Sequence, residues 1–273
     1  MMLERLQYKN HVGEVIDFGK SGIYVSANDL HDYNWTISQK NGKISSFKRD
    51  VATRTLPVVI FCNTPAEGVL ARNRLLEVAE KDVLAKKPGR IIIGEYYFKC
   101  YIIGSKKSQY LASRRKMNAE LTISSDEPYW VRETSNFLKK AETADYGLTY
   151  PHDYPFDYTN NIQSSKIFNT DFTATNFRMI IYGPCSAPSV YVANHAYAVN
   201  ADAEAGEYIT IDSAAKTVTK TANDGTITNL FNLRGRESYV FEKIPAGECS
   251  VSWEGDFSVD IILLEERSEP KWT

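Results

Sequence analysis

The chain has 273 residues, 43% of them hydrophobic and 24% charged, with a formal net charge of -2. This balance is ordinary for a soluble globular protein, and at this size a compact fold buries roughly 73% of the surface that the unfolded chain exposes. No disulfide framework is needed. Cys62, Cys100, Cys185 and Cys249 are far apart, form no Cys-x-x-Cys pair and read as small buried hydrophobes. The opening residues MMLERLQYKNHVGEV break their apolar run too early for a signal-peptide core, and no run approaches the roughly 18 apolar residues of a membrane span.

The near-neutral total conceals an asymmetry. Residues 1–140 hold 23 Lys+Arg and 15 Asp+Glu, net +8, whereas residues 141–273 hold 9 and 19, net -10. Two units are expected, residues 1–135 and residues 140–273, joined near an aromatic tract of Tyr146, Tyr150, Tyr154, Phe156 and Tyr158.

In the first unit, residues 33–55 are expected to form an extended arm with Asn41 and Gly42 at its tip, since Asn-Gly suits a two-residue hairpin turn. The sequon Asn34-Trp35-Thr36 reads as strand. The run TLPVVIFCN follows, with Leu56, Val58, Ile60 and Cys62 on one face. A helix is predicted next. Thr64 is its N-cap, Pro65 its first residue and Glu67 its capping-box partner. Val69, Leu76 and Ala79 trace its apolar stripe, with Leu76 expected to be buried against Val58 and Ile60. Gly68 weakens the first turn by about 1 kcal/mol relative to Ala, and Lys86-Lys87-Pro88-Gly89 ends the helix. RIIIGEYYFKCYIIGS then reads as two strands, or one bent strand, broken at Gly94, and Ala119, Leu121 and Ile123 alternate in a further strand. One helix on strands makes this an α+β domain.

The second unit shows no helical pattern. NFRMIIYG, SVYVAN, EYITID, KTVTKT, ESYVFEKI, ECSVSWE and FSVDIILLE read as strands. Turns fall at Ser213-Ala214-Ala215, Asp224-Gly225 and Pro245-Ala246-Gly247. Short strands at this spacing indicate an antiparallel β-sandwich, so the fold class is mainly β.

Chemistry is sparse. Phosphate-binding and dinucleotide glycine motifs, the nucleophile elbow and paired-histidine zinc helices are absent. His11, His31, His152 and His195 lack metal-ligand spacing and read as surface or structural groups. The acidic segment Asn200 to Glu207 loosely resembles a calcium loop but lacks the distal glutamate, so it reads as a solvated loop. Asp256 and Asp260 could in principle be paired for sugar hydrolysis, but their spacing fits the polar outer face of a strand. Lys106, Lys107, Arg114, Arg115 and Lys116 bracket Tyr110 in a basic loop. With no nucleic-acid module around it, that loop reads as a solvated hairpin or a docking surface for an acidic partner. The expectation is a protein without catalytic residues, cofactor, metal, nucleic acid or membrane contact.

Three stretches together resemble the distal tail protein family of siphophages. The first runs from Asp82 through Pro88 and Gly89 to Ile102; the second from Glu120 to Trp130; the third from Asn229 through Arg236 to Ile244-Pro245-Ala246-Gly247-Glu248. The resemblance implies a virion protein of the phage tail tip, made in the host cytoplasm. It also implies a hexameric ring built by the N-terminal domains, galectin-like C-terminal sandwiches, and contacts to a tail tube protein and a tail-associated hub protein. Candidate interface residues are then Asn41, Gly42, Lys106, Lys107, Tyr110, Arg114 and Arg115. The alternatives are a carbohydrate-binding accessory module, supported by the sandwich and the tyrosine tract, and less strongly a glycan-cleaving enzyme.

Overall fold

The computed structural model describes the chain except residues 1–4, 21, 27, 109–113, 141–161, 255 and 272–273. Its contacts cluster into two units, Met1–Arg132 with Glu266–Thr273, and Glu133–Glu265. The aromatic tract from Tyr146 to Tyr158 lies outside the described residues.

The first unit opens with three short strands, β1 (Leu6–Lys9), β2 (Val15–Phe18) and β3 (Ile23–Val25), followed by a hairpin of β4 (Thr36–Lys40) and β5 (Lys43–Lys48). Next come β6 (Ala52–Phe61), α1 (Pro65–Ala85), β7 (Gly89–Ile93), β8 (Tyr96–Ser108) and β9 (Lys116–Ser125). β10 (Trp130–Leu138) begins in this unit and continues into the second. The start of β8 pairs with β7 and β10, whereas residues from Tyr101 onward pair with β9 through an irregularity at Ile102–Gly104. β9 pairs with β6 and β6 with β3, while β7 pairs with β1 and β1 with β2. Leu56, Val58, Ile60 and Cys62 share the buried face as their alternation requires, and so do Ala119, Leu121 and Ile123.

α1 carries the expected capping box: Thr64 Oγ1 accepts from the Glu67 amide, and the Glu67 carboxylate accepts from the Thr64 amide. Lys86 closes the helix in a left-handed conformation, φ 53°. Of the expected stripe only Ala79 is buried; Val69 and Leu76 are exposed. Ala71, Leu75, Val78, Ala79 and Asp82 are buried, with Leu75 at 5% exposure and Leu76 at 54%. The helix has two apolar stripes, and periodicity alone does not choose between them. Asp82 decides. Fully buried, it accepts hydrogen bonds from the Tyr8 hydroxyl at 2.5 Å and the His11 amide at 2.9 Å, with His11 Nδ1 at 2.5 Å. A buried carboxylate must be satisfied in this way, and doing so turns the Leu75 face inward. Gly89 belongs to the same arrangement, because a Cβ there would stand 2.3 Å from Asp82 Oδ2.

The second unit contains β11 (Ile162–Asn169), β12 (Asn176–Tyr182), β13 (Ser189–Val192), β14 (His195–Ala198), β15 (Tyr208–Asp212), β16 (Thr217–Thr221) and β17 (Ile227–Asn229). A 3-10 turn, Phe231–Leu233, precedes β18 (Gly247–Glu254) and β19 (Ser258–Arg267). One sheet runs β11-β18-β13-β14, and the other runs β17-β16-β15-β12-β19-β10. Phe177, Met179, Ile181, Ile209 and Ile261 from the second meet Ile167, Val190, Val251 and Trp253 from the first in one core. The result is an antiparallel β-sandwich, and the whole chain is mainly β.

Residues 237–244, expected as a strand, are irregular. Val240, Phe241 and Ile244 still enter the core. The backbone groups of this segment are met from neighbouring strands: the Tyr197 hydroxyl donates to the Glu242 carbonyl at 2.8 Å, and His195 Nε2 lies 2.9 Å from the Tyr239 carbonyl. The sequon fares similarly, since only its Thr36 belongs to a strand.

Replacing Leu75 by Ala should cost about 2–5 kcal/mol, as cavity-forming core truncations do. Leu76→Ala should stay within about 0.5 kcal/mol. Urea unfolding midpoints of the two variants check the assignment; equal losses would mean the wrong face is inside.

Candidate assembly surface

β4 and β5 meet through a two-residue turn in which Asn41 and Gly42 both have positive φ, 52° and 74°. That is the geometry Asn-Gly favours, because Gly has no Cβ to clash and Asn tolerates the left-handed region. Cross-strand pairing sets the two faces. Ile37 opposes Phe47 and Gln39 opposes Ile44, while Thr36 opposes Lys48, Ser38 opposes Ser46 and Lys40 opposes Lys43. The register shift beside Ser38 leaves Ser45 as the extra residue and keeps Ile44 on the Ile37–Phe47 face. One face is therefore apolar and the other polar and basic. Trp35 extends the apolar face, its ring set edge-on to Phe47 at 6.4 Å. Phe47 is 62% exposed, and Trp35, Ile37 and Ile44 are exposed too.

The base of the hairpin is held. The Arg49 guanidinium stands 4.3 Å from the Trp35 ring and 5.3 Å from the Tyr129 ring, and donates to Ser268 Oγ at 3.2 Å. Its burial lowers its pKa, against the pull of Glu266; it nonetheless stays charged, since guanidinium groups do so throughout the physiological range. The hairpin is thus anchored at its root and bare along its apolar face.

A second apolar surface lies on α1. Val69, Leu76 and Val83 recur at intervals of seven residues, and all three are exposed. Leu76 and Val83 border a cleft of about 280 Å³ between the helix and β8, lined also by Ile103, Leu75 and Met117.

The basic loop is more embedded than the sequence suggests. The Cys62 amide donates to the Arg115 carbonyl at 3.0 Å, and Arg115 Nε donates to the Cys62 carbonyl at 3.3 Å. A Cβ on Gly68 would stand 2.1 Å from the Arg114 carbonyl, so the glycine that weakens the helix is what admits this backbone. Lys106 and Lys107 end β8 opposite Glu120 and Ala119 and are exposed. Tyr110 lies outside the described residues. Among the candidate residues, Asn41 and Gly42 therefore form a turn on the hairpin, and the Lys and Arg residues belong to β8 and to the segment docked on α1. The apolar residues Trp35, Ile37, Ile44 and Phe47 were missed by sequence reading; Trp35 and Ile37 alternate before Asn41-Gly42, but the extra residue Ser45 breaks the alternation after it.

Other candidate chemistry is absorbed structurally. Asp202 accepts from Ser186 at 2.7 Å and Glu207 pairs with Lys220 at 3.1 Å. Among the described residues, no group of three His, Cys, Asp or Glu side chains could hold a metal ion. All four cysteines are unpaired, and burial raises each thiol pKa, keeping them protonated and poorly nucleophilic. No helix among the described residues is long and apolar enough to cross a membrane.

No protein-family model matches the chain, and no curated protein matches it by sequence. Solved structures do. A chain from the phage P2 baseplate in its activated conformation with Ca superposes with a TM-score of 0.65 at 15% identity, covering 98% of this chain and 100% of that one. The same baseplate with Sr gives the same values. SPP1 Dit, described as a paradigm of the hub adsorption apparatus in phages infecting Gram-positive bacteria, gives 0.58 at 9% identity, covering 97% and 99%. At these identities the likeness establishes the fold: this chain has the architecture of phage baseplate and Dit hub proteins, in agreement with the resemblance read from its three stretches.

Arg49→Ala should release the hairpin root and speed amide exchange in Thr36–Lys48 by about tenfold, a cation–π contact of this kind being worth roughly 1 kcal/mol or more. Hydrogen exchange read by mass spectrometry tests it. Unchanged protection would show that the root is fixed elsewhere.

Proposed function

We propose that this chain is a structural subunit of a phage tail tip, six copies of which close into a ring between the tail tube protein and a tail-associated hub protein. The observation that carries the reading is the hairpin: an amphipathic element with Trp35, Ile37, Ile44 and Phe47 exposed on one face. A two-stranded hairpin is marginal alone, and contiguous apolar surface on this scale marks an interaction site. Its occupant is a neighbouring copy. The cleft bordered by Leu76, Val83 and Ile103 supplies a complementary apolar surface elsewhere on the same unit, which makes the contact heterologous and able to close into a ring. Burying such side chains contributes about 1.5–3 kcal/mol each, so a few suffice to hold neighbours together once repeated around the ring.

The fold likeness supports the tail-tip setting, and the number six comes from the family resemblance. The charge asymmetry, net +8 before residue 141 and net -10 after it, orients approaching copies. The protein works by position and contact, without catalysis, cofactor or bound nucleic acid, and it resides in the virion.

In solution the full chain should have a mass near six times 30.9 kDa by light scattering. Phe47→Glu and Leu76→Glu should each shift it to the monomer while the unfolding midpoint of the monomer stays within about 0.5 kcal/mol, both sites being exposed. Assembly that tolerates both substitutions would refute hairpin-to-helix docking, and a wild-type monomer at high concentration would refute the self-assembling ring.

A further inference from the structure

The outward face of the sheet β17-β16-β15-β12-β19-β10 carries an arrangement that ring formation does not use. Tyr182 on β12 lies opposite Ser258 on β19 and Tyr208 on β15. Phe137 of β10 meets Tyr182 edge-on with centroids 6.1 Å apart, and Tyr182 stands 6.2 Å from Tyr208. The small Ser258 side chain between the strands leaves room for this contact. Three rings therefore form a row across the strands. Phe137 is 52% exposed, and both tyrosines are partly exposed.

One rung along the same face, Asp260 opposes Ile180, Ile180 opposes Thr210 and Thr210 opposes Thr219. Ser135 Oγ donates to Asp260 Oδ1 at 2.6 Å, which fixes the carboxylate on the face. Burial raises the Tyr182 hydroxyl pKa, and Asp260 and Tyr208 add to the shift, so this hydroxyl is a standing donor beside a carboxylate acceptor. A further rung along, Arg178 is already engaged, 3.3 Å from Asp212 and 3.8 Å from Glu133. The face thus offers apolar and hydrogen-bonding groups, and exposed Lys140, whose amide donates to Ser258 Oγ at 3.0 Å, borders it.

We propose that this face binds a neutral oligosaccharide, a sugar ring lying on the Phe137–Tyr182–Tyr208 row and its hydroxyls meeting Asp260, Ser135 and Thr210. A pyranose has an apolar C–H face and a rim of hydroxyls. An aromatic row takes the first, since large rigid rings offer contact area at low entropic cost. A carboxylate accepts from the second in charge-assisted hydrogen bonds, stronger than neutral ones. Anionic polymers are disfavoured on the same ground: Asp260, Asp212 and Glu133 lie on this surface, residues 133–265 hold 9 Lys+Arg against 18 Asp+Glu, net -9, and like charges brought together cost affinity. The site lies wholly within the sandwich and stands or falls independently of the ring.

The full-length protein should be screened on a printed array of neutral and anionic glycans, then titrated calorimetrically with cellotriose, chitotriose and β-1,4-galactotriose, with poly(glycerol phosphate) as the anionic counterpart. Binding of neutral glycans is expected, and none to the phosphate polymer. Phe137→Ala and Tyr182→Ala should each weaken it about tenfold, and Asp260→Asn should weaken it while the unfolding midpoint holds. Tyr191→Ala, exposed on the opposite sheet, should leave it unchanged. Absence of any neutral hit overturns the proposal, as does binding that survives the Phe137→Ala/Tyr182→Ala double substitution or that prefers the phosphate polymer. Light scattering on the same samples reports ring formation separately, so failure of one reading is not failure of the other.

Discussion

The first unit depends on β8 being shared. Its first residues are flanked by β7 and β10, and from Tyr101 it turns to pair with β9. Over Tyr96–Phe98 the strand has neighbours on both edges, and its apolar side chains supply a face that has to be covered. Phe98, Cys100 and Ile102 are buried accordingly, and α1 packs over the strand. The register of α1 then follows from one polar group: Asp82 reaches the Tyr8 hydroxyl and the His11 amide only with the Leu75 face inward. A buried carboxylate outweighs the marginal difference between two apolar stripes, since leaving it unsatisfied costs more than exchanging one leucine for another.

That choice has an external consequence. With Leu75 and Val78 inside, Val69, Leu76 and Val83 are left on the solvent side, and the hairpin presents Ile37 and Phe47 in the same unsatisfied way. Single exposed apolar residues are unremarkable on a protein surface. Two organised stripes on one unit are the surfaces on which the proposed docking of neighbouring copies rests. Anchoring the hairpin root through Arg49 limits the entropy that docking must overcome.

Much of this was readable in advance. The Asn41-Gly42 turn, the Thr64–Glu67 capping box, the break at Gly94 and the alternation of Leu121 and Ile123 are local features governed by backbone sterics and period, and the structure reproduces them. The errors are non-local. Leu76 was placed inside because a helical stripe says nothing about which partner side chain lies 74 residues away, as Tyr8 does from Asp82. The segment around Val240 was read as strand because its apolar residues do enter a core, but its backbone is satisfied by the Tyr197 hydroxyl and other groups that sequence spacing cannot bring together. The aromatic row on the sandwich was invisible for the same reason: Phe137, Tyr182 and Tyr208 become neighbours only through strand order.

The two proposed surfaces also bear on each other energetically. A flat aromatic face gripping one or two sugar rings makes few contacts, and small interfaces of this type have modest affinity because association entropy consumes much of what they gain. Presented singly, such a site would hold a polymer briefly. Presented on every subunit of a closed ring, it meets a repeating glycan at several points, and each contact after the first becomes intramolecular at an effective concentration set by the spacing of the copies. Weak sites on a symmetric ring allow an encounter to be tested, released and re-formed until many engage together. Under that arrangement the selective variable is the geometry of the ring more than the strength of any one pocket, which fits a chain whose buried groups are spent on fixing shape.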